Sequence, residues 1–79
     1  MTNQETFQLA LETAYRELFS TDPEYAYSAS RITPEALAAK MTAGLATGGA
    51  KHDGTGIKRA CKAVGIAHTV KAIRAYLKD

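Results

Sequence analysis

At 79 residues the chain has room for one hydrophobic core and not for two, so residues 1–79 read as a single domain. An apolar content of 46% excludes a disordered chain, although much of it is alanine and the core must be thin. The net charge of +2 conceals a polarity: residues 1–50 carry three Lys/Arg against six Asp/Glu (−3), and residues 51–79 carry seven Lys/Arg against two Asp (+5).

A first helix is predicted over Gln4–Phe19, with Thr2 or Asn3 supplying the side-chain oxygen that caps the free amides of its first turn. Phe7, Ala10, Leu11, Ala14 and Leu18 recur at the helical period and form its buried stripe, with Glu12, Thr13, Arg16 and Glu17 opposite or beside it. Leu9 falls on the polar side, either as a lone exposed leucine or as a contact for a partner or second copy. Asp22-Pro23 has the order of a cap followed by proline at the first helical position, and a short helical turn is expected over Pro23–Ser28. Tyr25 and Tyr27 in that turn either lid the core or offer rings for stacking.

Ile32-Thr33-Pro34-Glu35 is the clearest local signal. Thr33 is the N-cap, Pro34 takes the first helical position, and Ile32 can staple to Leu37. Leu37, Met41, Gly44 and Leu45 are the expected buried stripe of this helix, and Gly44 within it suggests a closely crossing helix. Gly48-Gly49 ends it, because glycine readily adopts the left-handed cap conformation. Residues 47–56 are then a mobile loop. A third helix is expected over Gly56–Val64, capped by Asp53 or Thr55, with Ile57, Ala60, Cys61 and Val64 inward and Lys58, Arg59 and Lys62 outward. Gly65 stops it, and a fourth helix covers Ala67–Lys78 with Val70, Ile73 and Leu77 inward. No segment has a period-2 strand pattern. The expected fold is an all-α bundle of about four helices.

The residues offer little for catalysis. Gly49 and Gly54 have phosphate-loop spacing, but Thr55 stands where the motif needs lysine and no apolar strand precedes it. His52, Cys61 and His68 match no common metal spacing, and no sequence relation joins Cys61 to a histidine that could activate it. The chain is therefore read as a non-enzyme without cofactor or metal. One cysteine excludes an internal disulfide and fits a reducing compartment. No apolar run is long enough to span a bilayer, and the polar N-terminus lacks signal-peptide order. The expected location is cytoplasmic, with no membrane partner.

The segment Lys58–Leu77, KRACKAVGIAHTVKAIRAYL, runs helix, glycine, apolar residue, helix. It resembles the helix-turn-helix of DNA-binding proteins, with Cys61 at the usual alanine position, Gly65 as the turn glycine and Ile66 after it. Val70 and Ile73 come one residue early, so the turn would be shorter than usual. The resemblance implies a DNA partner. His68, Lys71, Ala75 and Lys78 would face bases or phosphates, and Lys58, Arg59 and Lys62 would grip the backbone. Arg74 lies on the same edge as Lys71 and Lys78. The plainer alternative is a solvated basic face, or one neutralised by the acidic first helix.

TPEALAAKM (Thr33–Met41) and DGTGIKRACKAVGIAHTVKAIRAYL (Asp53–Leu77) resemble the short uncharacterised proteins that bacteriophages and integrated mobile elements encode in proteobacteria. The resemblance implies a context, the host-cell cytoplasm, and a mode of action, binding. Two partner classes follow. One is nucleic acid, or a complex that handles it, engaged through Lys58, Arg59, Lys62, His68, Lys71, Arg74 and Lys78. The other is a host protein complex, as for an anti-CRISPR-like inhibitor of a defence system, or a second copy of the chain in a homodimer or larger structure.

Overall fold

A computed structural model describes residues 1–22 and 32–78. The expected turn at Pro23–Ser28, with Tyr25 and Tyr27, lies outside the described residues. Within them the chain forms four α-helices and no strand: α1 (Asn3–Thr21), α2 (Pro34–Thr47), α3 (Thr55–Val64) and α4 (Val70–Leu77). The protein is a small all-α bundle.

Each helix begins and ends where local chemistry dictates. At α1 a reciprocal capping box forms: the Thr2 hydroxyl accepts from the Glu5 N–H at 3.1 Å, and the Thr2 N–H donates to Glu5 Oε1 at 3.0 Å. Asp22 is the C-cap of α1. Thr33 caps α2 by accepting from the Ala36 N–H at 3.1 Å, with Pro34 at the first position as expected. Gly48 (φ 89°) and Gly65 (φ 79°) close α2 and α3 in the left-handed conformation, which a side chain would strain. The cap of α3 is Gly54, without a side-chain acceptor, and not Asp53 or Thr55. Helix α4 starts at Val70 instead of Ala67 because Thr69 takes the N-cap, its hydroxyl accepting from the Ala72 N–H at 3.1 Å.

Helix α1 is the platform. Helices α2 and α3 both pack along it, α4 packs on α2 and α1, and α3 and α4 touch each other at most marginally. Phe7 and Leu11 of α1, Ile57 of α3 and Ile73 of α4 are all but fully buried, and each contributes about 1.5–3 kcal/mol relative to exposure. Tyr15, on the same α1 stripe, is also buried and lies against Gly56 at the start of α3. The start of α1 meets the end of α4: Asn3 Nδ2 donates to the Tyr76 carbonyl at 3.1 Å, and the Phe7 and Tyr76 rings tilt together at 6.3 Å.

Three expected orientations differ. The buried stripe of α2 is Ala38, Thr42 and Leu45, and Leu37, Met41 and Gly44 are only half-buried. The closest approach at Gly44 comes from Ala50, just beyond the end of its own helix, and not from a crossing helix. The chain folds back over it, the Gly44 carbonyl accepting from the N–H groups of Gly49 (2.7 Å) and Ala50 (3.2 Å), and a Cβ there would come within 2.7 Å of the Ala50 Cβ. Val70 stands exposed at the first turn of α4 while Ile73 and Leu77 point inward.

Candidate functional site

The cations of the C-terminal third divide between two helices. On α3 the buried positions Ile57, Ala60 and Cys61 define one face, and Lys58, Arg59 and Lys62 occupy the opposite, exposed one. On α4, Lys71, Arg74 and Lys78 are exposed opposite Ile73 and Leu77, with Ala75 among them. The sequence periodicity places each set correctly because both helices have sharply divided apolar and basic sides.

The supports of the two stripes differ. Arg59 leans toward α1, its Nη1 3.8 Å from Glu17 Oε2, a solvent-exposed pair of small energetic consequence. The Arg74 guanidinium lies against Gly48, where a side chain would collide with it, so its charge sits at the carbonyl end of α2 and complements that helix's dipole. His68 is half-buried and turned toward the α2–α3 connection. Its Nε2 hydrogen-bonds the His52 carbonyl oxygen, and the two imidazoles meet edge to face with centroids 5.6 Å apart. His52, Glu17 and Gly48 are thus the neighbours of the candidate site. Each of these contacts is long-range in sequence, so no local pattern announces it.

The acidic residues of α1 are mostly engaged elsewhere. Glu5 belongs to the capping box, where the Thr2 N–H, and then the Thr2 hydroxyl, hold its carboxyl below the usual range. Arg16 ties Glu12 of its own helix (3.8 Å) to Glu35 of α2. Hydrogen bonding to its own N–H and to Arg16 lowers the Glu35 carboxyl. Among the described residues, Lys58, Lys62, Lys71, Arg74 and Lys78 have no ion-pair partner. Among the described residues, the basic third meets a carboxylate at a single pair, Arg59–Glu17.

Cys61 is buried in the core, and burial pushes its thiol up. Among the described residues no three His, Cys, Asp or Glu gather into a set able to hold a metal. Two open grooves bracket α1. One, lined by Met1, Glu5, Gln8, Leu9 and Glu12, is about 240 Å³, and the other, between α1 and α3, about 250 Å³. Both fall below the ~300–1,000 Å³ of ordinary small-molecule sites. No described helix is long and apolar enough to cross a membrane. No protein-family model, curated protein or solved structure matches the chain.

Proposed function

We propose that the protein is a phage-type accessory protein that works by binding, without catalysis, in the host cytoplasm. Its partner is nucleic acid, or a complex that handles nucleic acid, engaged through the outward faces of α3 and α4. The observation that carries this reading is the set of five exposed cations, Lys58, Lys62, Lys71, Arg74 and Lys78, that no carboxylate of the described chain balances. Such stripes attract phosphates over a range of about 10 Å at ordinary salt and favour sequence-independent contact with a phosphate backbone.

The reading is one of phosphate recognition more than base recognition. Helices α3 and α4 rest on α1 and α2 and hardly on each other, His68 faces His52, and Arg74 lies on Gly48. That leaves lysines, which recognise phosphate as point charges, as the dominant outward groups. The same features favour a second reading, in which the protein inhibits a host defence complex by occupying the surface on which that complex holds nucleic acid.

Fluorescence anisotropy with labelled duplex and single-stranded DNA tests the first reading. Binding at low salt that weakens in Lys58→Glu and Lys71→Glu supports it, and no binding at low salt overturns it. A host-lysate pull-down with the same variants tests the second. A host complex retained by the wild type and lost by the variants supports it, and identical captures by all three exclude it.

A further inference from the structure

The connection between α2 and α3 contains Asp53-Gly54, and both residues are exposed. Gly54 is the N-cap of α3, and its carbonyl accepts from the Lys58 N–H at 3.0 Å. Among the described residues its own N–H has no acceptor, and the Asp53 carboxylate has neither a hydrogen-bond donor nor an ion-pair partner. That carboxylate does not cap α3 either. Aspartate side chains in turns are ordinarily spent on a nearby amide. This one stands unengaged beside the unengaged amide of the next residue, and glycine, having no Cβ, leaves that nitrogen unshielded.

The comparable positions lack this combination. Asp22 precedes Pro23, whose nitrogen carries no hydrogen. Asn3 is the first residue of α1, and its side-chain amide donates to the Tyr76 carbonyl at 3.1 Å. Asp79 lies outside the described residues.

The geometry points to Asp53-Gly54 as a site of spontaneous backbone isomerisation, at which aspartate becomes isoaspartate. The Gly54 nitrogen attacks Cγ of the Asp53 carboxyl. An N–C bond forms, a C–O bond breaks, and the nitrogen's hydrogen leaves with the carboxyl OH as water, closing a succinimide ring. Water then opens the ring. Addition at Cγ restores aspartate, whereas addition at the main-chain carbonyl carbon of Asp53 leaves the chain running through Cβ and Cγ with a free α-carboxylate. Mass and charge are unchanged, and water is the only co-reactant. The product has an extra main-chain carbon between His52 and Gly54. His52 is the residue whose carbonyl accepts from His68 and whose ring meets the His68 ring, and Gly54 starts α3. Isomerisation therefore strikes the link between the α2–α3 connection and the approach to α4, whatever the basic faces bind.

Incubation of the folded chain in neutral buffer, alongside the same chain unfolded in guanidinium chloride, tests the inference. Isoaspartate is measured by methyl transfer from labelled S-adenosylmethionine with a protein isoaspartyl methyltransferase, and located by fragmentation mass spectrometry. The expected result is isoaspartate at position 53 and not at 22, forming in the folded chain within several-fold of the unfolded rate. Gly54→Ala, where a Cβ meets only Ile57 Cδ1 at 3.9 Å, slows it several-fold, and Asp53→Glu abolishes it. The isomerised chain, once purified, shows displaced His52 and His68 ring signals by NMR. A folded chain that forms none, methyl incorporation unchanged in Asp53→Glu, or His52 and His68 signals identical before and after conversion would overturn it.

Discussion

Gly56→Ala adds one methyl group at the tightest approach between α1 and α3. A Cβ at Gly56 would lie 2.4 Å from Tyr15 Cε1, 2.8 Å from Cδ1 and 3.2 Å from Cζ, distances that cannot stand. The Tyr15 ring is only 3% exposed, so it has no free space to swing into, and α3 must shift away from α1 instead. Overpacking of this kind costs about 1–3 kcal/mol, and the better helix propensity of alanine returns about 0.5–1 kcal/mol. The net expectation is a loss of about 1–2 kcal/mol, and for a domain of this size each kcal/mol lowers Tm by about 4–8 °C. Gly54→Ser, two residues earlier, is the matched control. A Cβ at Gly54 would meet only Ile57 Cδ1, at 3.9 Å, and the site is an N-cap with ordinary dihedrals and no side-chain acceptor. Serine there gains a few tenths of a kcal/mol. Thermal and urea unfolding followed by circular dichroism measure both variants. A Gly56→Ala variant with unchanged or raised Tm would refute the packing argument.

Thr42 carries a fully buried hydroxyl with no hydrogen-bond partner, so Thr42→Val, of the same shape, is expected to raise stability by about 1 kcal/mol in urea unfolding, and a loss would show that the hydroxyl is satisfied. Cys61 is buried with its thiol pushed up. Its labelling by a thiol reagent at neutral pH should therefore be slow and track the unfolded fraction, and rapid labelling of the native protein would contradict its placement. The Glu5 carboxyl, lowered first by the Thr2 N–H and then by the Thr2 hydroxyl, favours the folded state above the ordinary carboxylate range, and that contribution disappears as pH falls through the lowered value. Thr2→Ala removes the hydroxyl and keeps the N–H, so an NMR titration should show the Glu5 carboxyl moving part of the way back up, and an unmoved titration would show that the hydroxyl does not act on the carboxyl.

The parts of the fold legible in the sequence are those fixed by local chemistry. Thr33-Pro34 starts a helix wherever it occurs before an apolar run, Gly48 and Gly65 stop helices because they alone take the left-handed conformation cheaply, and α3 alternates bulky apolar and basic positions without ambiguity. Helix α2 resists the same reading. Its alanines weigh little on any face, so the stripe through Ala38, Thr42 and Leu45 looks no more apolar than its neighbour through Leu37, Met41 and Gly44, and a buried threonine argues against the true one. Tyr15 was within reach, since it repeats Phe7 and Leu11 at intervals of four. The candidate site divides the same way. Periodicity places Lys58, Lys62, Lys71 and Lys78 outward, but the turn of His68 toward the His52 carbonyl, the seat of Arg74 on Gly48 and the reach of Arg59 to Glu17 depend on how the elements pack.

The slope of log K against log salt concentration for binding to duplex DNA tests the basic faces most directly. Engagement of the five unpaired cations of α3 and α4, Lys58, Lys62, Lys71, Arg74 and Lys78, gives a slope near −4.5, or roughly a 500-fold loss of affinity between about 50 and 200 mM salt. Removing one cation from each helix, with Lys62→Ala and Lys71→Ala combined, should bring the slope to about −2.7 while leaving the fold unchanged. Binding whose slope is near zero, or whose slope the double variant leaves intact, would show that these two helix faces are not where the protein meets its partner.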